Sequence, residues 1–267
     1  MAYSITRFST SSRGPLAQTL MQGCLALTLI VAPIVCAADE PAEETTQSVI
    51  ITGTKGGALL SYRFMLAGLD AFDEYHDLAP NADKVYFRLK LNKEGHETPE
   101  NVSLHITGDT VSIPVPIAPD GTFTVPRSEQ ADNEDADLVL NKPKKDYLMH
   151  IGIFSPGVPE NMRRLGDLRL ECEVGMAMAK NKINFFLRAT ISTWLLTNHW
   201  CRTDKFKMPV FADRPISSAV IINGGQRTVL VVLKGGYGYE APINDKNYPD
   251  DDLIEFQFIP EPEDSKN

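Results

Sequence analysis

Apolar and polar positions alternate most strictly between residues 167 and 196. Every even-numbered residue from Leu168 to Met178 is apolar, and after a Lys-Asn turn the apolar positions become mostly odd-numbered, beginning at Ile183. A period of two is typical of a strand with one buried face, and two such runs around a short turn are typical of an antiparallel hairpin. The pattern predicts a long central hairpin over 167–196, with Val174 facing Leu187 on the buried side.

One stretch upstream has helical periodicity instead. Apolar residues recur at steps of three and four from Leu60 to Tyr75, and Pro80 follows shortly afterwards. Such spacing places the apolar side chains on one face of a helix, and a proline cannot continue that helix. The pattern predicts a single N-terminal amphipathic helix over 58–77.

Most of the remaining chain alternates in short runs separated by Gly, Pro, Asn and Asp. About ten short strands with one helix are typical of a mainly β fold, so we predict an antiparallel β-sandwich-like architecture. The Pro-Gly-rich break at 155–159 separates a helix plus a small β-sandwich-like region at 48–155 from a C-terminal antiparallel β region at 160–259. An acidic tail, 260–267, follows. Whether the two regions form one domain or two stays open.

Residues 1–38 have the pattern of an export signal. Two arginines precede an apolar run from Cys24 to Ala32, and the small residues around Val35–Ala38 offer a cleavage site. A membrane anchor is the alternative, but this apolar run is too short to cross a bilayer comfortably. We therefore predict an exported protein, periplasmic or secreted, with a disordered leader at 39–47 and no transmembrane segment after signal cleavage.

The charge balance narrows the range of partners. The formal net charge of the chain is -9. Nucleic-acid binding relies on Lys and Arg to neutralise phosphates, so an acidic chain disfavours it, and an acidic chain also disfavours adsorption to anionic lipid surfaces. The predicted partner is an unidentified protein or glycan, and no nucleic acid is expected.

Cysteine usage agrees with export. Of four cysteines, Cys24 and Cys36 would leave with the signal, and Cys172 and Cys201 would remain. An even pair in an exported chain is more typical of a disulfide than of a metal site or a nucleophile. We predict a Cys172–Cys201 bridge, which would close a loop of about 30 residues and stabilise the fold by roughly 3–4 kcal/mol.

The region 84–155 resembles the carboxypeptidase regulatory-like, or transthyretin-like, β-sandwich modules of exported bacterial proteins. The residues that carry the resemblance are the strand Val85–Leu89, the turn and return at Pro119–Pro126, and the late strand around Tyr147. In that family an Asp-Gly turn of this kind precedes the strand that closes the small sandwich. The resemblance implies an accessory module without catalysis, and it transfers no functional residue to this chain.

Sequence motifs of common catalytic sites are absent. The chain contains no Gly-x-Ser-x-Gly, His-Glu-x-x-His or Cys-x-x-Cys motif and no phosphate-binding glycine loop. The five histidines are scattered, although His105 and His150 fall on strands that could be neighbours. We therefore predict no catalytic residue, and whether the chain is an enzyme stays open, with a non-enzyme favoured.

One acidic loop near the C-terminus offers candidate ligands for Ca²⁺, which prefers six to eight oxygen ligands. The candidates are Asp245, Asn247, Asp250 and Asp252. Their spacing departs from that of an EF-hand loop, and a solvated acidic loop is the simpler interpretation. No other cofactor is predicted.

Aromatic residues in and near the same loop are candidate ligand contacts. Exposed rings beside carboxylates are common in sugar-binding β-sandwiches, and the candidates are Tyr237, Tyr239, Tyr248 and Trp194. The simpler interpretation is that these rings cap the core.

Three functional hypotheses follow from the sequence. The first is an exported, non-catalytic β protein with a binding or envelope-associated role. The alternative is a glycan-binding module that uses the loop Tyr237–Tyr248. The second alternative is an extracytoplasmic hydrolase, which would require a histidine within hydrogen-bond reach of a carboxylate in a concave pocket.

Overall fold

The structure confirms a mainly β fold. The computed structural model describes residues 57–91, 101–205 and 209–260, and in these ranges thirteen strands form four antiparallel sheets, compatible with a β-sandwich-like fold. The strands are β1 (Gly57–Ser61), β2 (Tyr86–Leu91), β3 (Leu104–Thr107), β4 (Ser112–Val115), β5 (Thr122–Phe123), β6 (Asp137–Leu140), β7 (Tyr147–Gly152), β8 (Met162–Arg164), β9 (Val210–Phe211), β10 (Ile216–Asn223), β11 (Gln226–Leu230), β12 (Gly238–Tyr239) and β13 (Leu253–Phe258). The α-helices are α1 (Tyr62–Glu74), α2 (Glu129–Asn133), α3 (Leu165–Lys182) and α4 (Phe185–Leu195).

Two sheets form a small sandwich-like region between β1 and β7. Their strand orders are β1-β6-β3-β4 and β5-β2-β7. Ile106 and Leu138 of the first sheet and Phe87 and Leu89 of the second belong to one buried core. Alternation along these strands explains the packing, because every second side chain points to the same face. The resemblance to carboxypeptidase regulatory-like modules stays a prediction.

The C-terminal region builds a second core on another sheet, with the strand order β11-β10-β13-β8. β10 and β11 form an antiparallel hairpin that turns at Asn223–Gln226. Gly224 and Gly225 have φ values of 52° and 88°, a left-handed backbone conformation that glycine adopts without steric cost. β8 lies at the edge of this sheet, next to β13, and leads directly into α3.

The predicted N-terminal helix is confirmed as α1, with shorter bounds than 58–77. Ser61 ends β1 and caps the helix, since its hydroxyl accepts a hydrogen bond from the backbone N–H of Phe64 at 3.3 Å. Tyr62 and Met65 are fully buried, as expected for the apolar face of an amphipathic helix. α1 packs against α3 so closely that a Cβ built at Gly68 would lie 2.7 Å from the Met178 sulfur.

The predicted central hairpin over 167–196 is wrong, because this stretch forms the helices α3 and α4. In a helix, residues two apart are separated by about 200° around the axis, and residues four apart by about 40°. Alternate apolar residues therefore form two stripes on opposite sides. One stripe, Leu168 and Cys172, packs into the C-terminal core, and the other, Leu170, Val174 and Met178, packs into the sandwich core. A helix buried on two sides mimics the period of a strand.

The charged residues of α3 are consistent with the same arrangement. Each of the four between Asp167 and Glu173 has a polar partner from another part of the chain: Asp167 binds Ser155, Arg169 binds the loop 243–250, Glu171 binds Arg163, and Glu173 binds Arg202. These side chains would have faced solvent in the predicted hairpin. In the helix they tie α3 to the segments around it.

The predicted disulfide is confirmed. Cys172 of α3 is bonded to Cys201, which lies in a short 3₁₀ helix, Trp200–Arg202, with a Cα–Cα distance of 6.0 Å. The bridge closes the part of the chain that contains α4. It therefore fixes the chain after α4 to the middle of α3.

Several predictions fall outside the described residues. The predicted signal peptide 1–38, the predicted leader 39–47 and residues 261–267 of the acidic tail lie outside the described ranges. Among the residues that the structure does describe, no helix combines the length and apolarity needed to cross a membrane.

The hydrogen bonds of Glu134 to the turn between β3 and β4 predict that part of the protein's stability depends on pH in acid. Its carboxylate accepts hydrogen bonds from the Thr110 hydroxyl and from the backbone N–H groups of Thr110 and Val111, and these bonds lower the pKa of Glu134 to about 2. A carboxyl with a lowered folded-state pKa stabilises the fold above its ordinary pKa, and this contribution is lost as the pH falls toward 2. We expect Glu134→Gln to lose less stability than wild type between pH 4.5 and pH 2.

Urea unfolding midpoints across that range would measure the effect. Glu129→Gln, an exposed change in α2, the short helix that ends directly before Glu134, is the matched control and should keep the wild-type pH dependence. Parallel curves for Glu134→Gln and wild type would contradict the assignment.

Candidate functional site

Two open cavities meet where the sandwich, α3 and the C-terminal region come together. The outer cavity has a volume of about 510 Å³ and the inner cavity about 360 Å³. Their shared wall consists of Arg88, Phe154, Arg163, Phe211, Ala212 and Asp213. We refer to the two cavities together as the cleft. Each lies within the size range of small-molecule sites.

The outward face of β2 supplies one wall of the cleft. Phe87 and Leu89 point into the core, so the alternate residues Arg88 and Lys90 point to the other face. Asp213 joins them: its Oδ1 lies 2.7 Å from Arg88 Nη1 and 3.3 Å from Lys90 Nζ. Partial desolvation would raise the pKa of Asp213, but the two cations outweigh it and hold the pKa below its usual value. Asp213 therefore stays ionised and fixes both cations.

A largely buried ion pair, Arg163 with Glu171, lines the cleft. Arg163 of β8 donates from Nη2 to Glu171 Oε2 at 2.9 Å and to the Ile153 carbonyl at 3.0 Å. Its guanidinium also lies over the Phe154 ring, 4.4 Å from the centroid. Burial raises the pKa of Glu171, and Arg163 opposes that shift. This pair connects α3, β8 and the segment after β7.

Asp167 and Ser155 form a second buried polar contact at the edge of the outer cavity. The Asp167 carboxylate accepts from the Ser155 hydroxyl at 2.6 Å and from the Ser155 backbone N–H at 2.8 Å. Asp167 is 1% exposed and lies in the first turn of α3, where a negative charge is favourable. The contact anchors the Pro-Gly-rich segment to the start of α3.

His150 is the histidine that lines the cleft, in the inner cavity. Its ring packs edge-on against Phe211, with the centroids 6.2 Å apart. Burial lowers the pKa of His150, and the nearby charge of Lys90 lowers it further, so the ring is neutral at neutral pH. Within the described residues, His150 makes no hydrogen bond to a carboxylate.

Arg214 and Phe258 form the far wall of the outer cavity. The Arg214 guanidinium lies 4.1 Å from the centroid of the Phe258 ring, in a cation–π contact. Among the described residues it has no carboxylate within ion-pair distance. Arg214 is therefore the cation of this wall whose charge is not offset by a neighbouring described carboxylate.

The four aromatic residues predicted as ligand contacts are not brought together in the cleft. Tyr239 is fully buried in the C-terminal core and packs on Phe256, so its ring is not available for stacking on a sugar. Tyr237 is 39% exposed, and Trp194 lies exposed on α4. Tyr248 lines a separate cavity of about 330 Å³ beside Arg169.

The oxygen-rich loop predicted as a calcium site is organised around an arginine. The Arg169 guanidinium forms an ion pair with Asp250 and donates to the carbonyls of Ile243, Asp245 and Tyr248. The remaining candidate ligands lie close by. The Asp245 carboxylate accepts from the Asn247 backbone N–H at 2.9 Å, and Asp252 is 9% exposed.

Across the described residues, no group of three or more His, Cys, Asp or Glu side chains is arranged to hold a metal ion. The calcium site stays a prediction. The Arg169 guanidinium already binds the Asp250 carboxylate and three carbonyl oxygens of this loop. These oxygens therefore have a structural role, which is to hold the loop to α3.

Sequence reasoning missed most residues of the cleft. Arg88 and Lys90 belong to the polar positions of an alternating run, which mark no site by themselves, and Asp213 lies in no recognised motif. Arg163 and Glu171 could have been found from α3, because a helix with two apolar faces leaves its charged residues between two cores, where each needs a partner.

The fold and the cleft together define a mainly antiparallel β protein in which a doubly buried helix joins two cores beside a cleft of ligand size. No protein-family model, curated protein or solved structure matches this chain. The functional argument therefore depends on the site itself.

Proposed function

We propose that this chain is an exported, non-catalytic binding protein that holds a small molecule in the cleft. The observation that carries the proposal is the pairing of two adjoining cavities, about 510 Å³ and 360 Å³, whose walls combine aromatic rings with fixed charged groups. Concave apolar surfaces with a few oriented polar groups are the usual form of small-molecule sites. Export is supported by the Cys172–Cys201 bridge, since disulfides persist in oxidising compartments.

The wall chemistry favours a ligand with an apolar or planar part and an anionic part. Phe154, Phe211 and Phe258 offer ring surfaces to the planar part. Arg88 and Arg163 already form ion pairs with carboxylates. Arg214 forms no ion pair with any carboxylate of the described residues. A carboxylate or phosphate on the ligand would therefore be placed beside Arg214, where its hydrogen bonds with the guanidinium would be charge-assisted.

Binding is favoured over hydrolysis because of the surroundings of His150. A histidine base needs a hydrogen-bonded partner to orient it and to stabilise its charged form. His150 instead packs against an aromatic ring. Burial and the charges of Lys90 and Arg88 lower the pKa of His150, and only Asp213, which is paired with both cations, opposes them. These surroundings suit a neutral wall group of a binding cleft.

A thermal-shift titration would test the proposed cleft. The probes are 4-hydroxybenzoate, phenyl phosphate and galacturonate, which pair an anion with an aromatic or sugar ring. We expect at least one of them to raise the melting temperature, and Arg214→Ala to weaken its binding about 10- to 100-fold, as removal of a charge-assisted bond predicts. Ala212→Trp, which fills the shared wall, should abolish binding.

Arg227→Ala is the matched control, because Arg227 lies on β11 and pairs with Glu255 away from the cleft. It should bind the probe as wild type does. Equal affinity of wild type, Arg214→Ala and Ala212→Trp for a bound probe would contradict the proposed cleft.

A further inference from the structure

α4 exposes an unusual concentration of large apolar side chains. Phe186 is 81% exposed, and Leu196, directly after the helix, is 79% exposed. The other large exposed residues of this segment are Phe185, Leu187 and Trp194. Single exposed apolar residues are ordinary on a protein surface, whereas a contiguous group marks an interaction site.

The outward face of α4 also lacks free polar groups. Phe186 lies nine residues before the buried Leu195, which places the two on opposite sides of the helix. Thr190 and Thr193 share the side of Phe186, and their hydroxyls donate to the carbonyls of Phe186 and Ala189, both at 2.9 Å. Since these hydroxyls are bonded within the helix, the outward face presents methyl groups and rings.

The sequence segment that carries α4, between Glu173 and Asp204, has a charge opposite to that of the whole chain. Residues 174–203 contain four cations, Lys180, Lys182, Arg188 and Arg202, and no Asp or Glu. The full chain has a net charge of -9, so the remaining residues carry -9 - 4 = -13. A protein that is acidic on average can still present a basic segment, so the net charge of the whole chain does not decide the charge beside α4.

In the folded structure Lys180 and Lys182 each have a further cation nearby. After burial, the charge of Lys144 is the next influence that lowers the pKa of Lys182, and Arg188 is among the groups that lower the pKa of Lys180. Glu74 and Glu173 oppose the shift of Lys180, and Glu173 is paired with Arg202. The Arg188 guanidinium lies over the Phe185 ring, 6.0 Å from its centroid, and Lys182, which contacts the Phe64 ring of α1, precedes α4 by three residues. The exposed side chains of Lys182 and Arg188 therefore form the basic border of the apolar face.

Contacts at both ends of α4 hold the helix in place. Asn184 caps its first turn by accepting from the Leu187 backbone N–H at 2.8 Å. Lys180 donates to the Asn198 carbonyl at 2.6 Å, and the Cys172–Cys201 bridge follows three residues later. The exposed face is therefore presented by a well-supported helix, with little conformational freedom to lose on binding.

We propose that α4 docks this protein on the surface of an anionic phospholipid bilayer, with Phe186 and its neighbours entering the headgroup–acyl boundary and the basic border meeting lipid phosphates. An apolar face with Phe, Leu and Trp bordered by Lys and Arg is typical of helices that lie in a membrane interface. The eleven residues of α4 extend about 17 Å, too little to cross a hydrocarbon core of about 30 Å, so the helix lies on the surface. The negative charge of the remaining chain favours an orientation with α4 toward the lipid.

The two tryptophans give a direct test. Trp194 is 67% exposed on α4, whereas Trp200 is 5% exposed. With vesicles of phosphatidylglycerol and phosphatidylcholine, we expect the protein to co-sediment and the emission of Trp194 to shift to shorter wavelength. Trp200→Phe should keep this shift, and Trp194→Phe should lose it. Vesicles of phosphatidylcholine alone should bind at least 10-fold more weakly.

Matched variants separate the apolar and basic contributions. Phe186→Asp should lower vesicle partitioning at least 10-fold, and Lys182→Glu with Arg188→Glu should lower it by a similar factor that shrinks at high salt. Val229→Asp is the control, because Val229 is 75% exposed on β11 and lies outside α4. It should partition as wild type does.

Three results would overturn the proposal. The first is no binding to anionic vesicles, and the second is binding that Phe186→Asp leaves unchanged. The third is a concentration-dependent dimer that Phe186→Asp abolishes without any vesicle binding, since this would identify a second copy of the chain as the occupant of the face.

Discussion

Replacing Arg163 with methionine is expected to destabilise the protein by roughly 3–5 kcal/mol at neutral pH, which is the usual cost of removing one partner of a buried ion pair. Arg163 and Glu171 have side chains only 13% and 20% exposed. Methionine has a similar apolar length but leaves the Glu171 carboxylate without its cation, in a place where burial already raises the pKa of Glu171. Urea unfolding of the variant would measure the loss.

The pH dependence of this loss identifies its cause. A carboxyl with a raised folded-state pKa binds a proton more tightly in the folded state, so its ionisation removes stability as the pH rises through that pKa. Removing Arg163 raises the pKa of Glu171 further. The penalty of Arg163→Met should therefore be small in acid, where Glu171 is protonated, and should grow toward neutral pH.

The double variant Arg163→Met, Glu171→Gln is the control. Glutamine is neutral and its amide oxygen can still accept from the Ile153 backbone N–H, which binds Glu171 at 3.3 Å. Most of the stability lost in Arg163→Met should return in the double variant, and the pH dependence should vanish. A double variant as unstable as Arg163→Met at every pH would show that packing on Phe154, and not the unpaired charge, causes the loss.

The pattern of apolar and polar residues was sufficient to predict strands and helices that bury only one face. β2 and β7 pair through alternating runs, and α1 has a single apolar stripe, so their periods are unambiguous. The disulfide could also be predicted from the sequence, because two cysteines in a chain predicted to be exported most often form a disulfide. The helix α3 could not be predicted from the sequence, since its two buried stripes produce the same alternation as a strand. Its length of eighteen residues was the remaining signal for a helix, because single strands are rarely that long.

The cleft could not be predicted from sequence for a different reason. Arg88, Phe154, Arg163 and Asp213 come from four separate segments, and only the packing of α3 between the two cores brings them together. No spacing along the chain encodes such a site. The apolar face of α4 was likewise concealed by the hairpin interpretation, which assigned its odd-numbered residues to the core.

Replacing Gly166 with alanine is expected to destabilise the protein by about 3 kcal/mol or more, at the upper end of overpacking costs. Gly166 is the second residue of α3, and a Cβ at this position would lie 2.1 Å from the Leu78 carbonyl oxygen and 3.0 Å from Asp250 Cβ. The obstacle is backbone, which no change of rotamer relieves. A shift of α3 to relieve the contact would strain the hydrogen bond from Gly166 N–H to the Asp250 carbonyl, now 2.8 Å.

Gly175→Ala provides the opposite result in the same helix. A Cβ there would meet only the Ile151 side chain, at an ordinary 3.7 Å. Alanine has a higher helix propensity than glycine, so this variant should be more stable than wild type by roughly 0.5–1 kcal/mol. Thermal unfolding of both variants measures the effect of the same Gly→Ala change at two positions of α3. At Gly166 the added Cβ meets backbone, and at Gly175 it has room. If Gly166→Ala were as stable as Gly175→Ala, the start of α3 would not pack against Leu78 and Asp250 as described, and the junction that positions Asp167 beside Ser155 would have to be different.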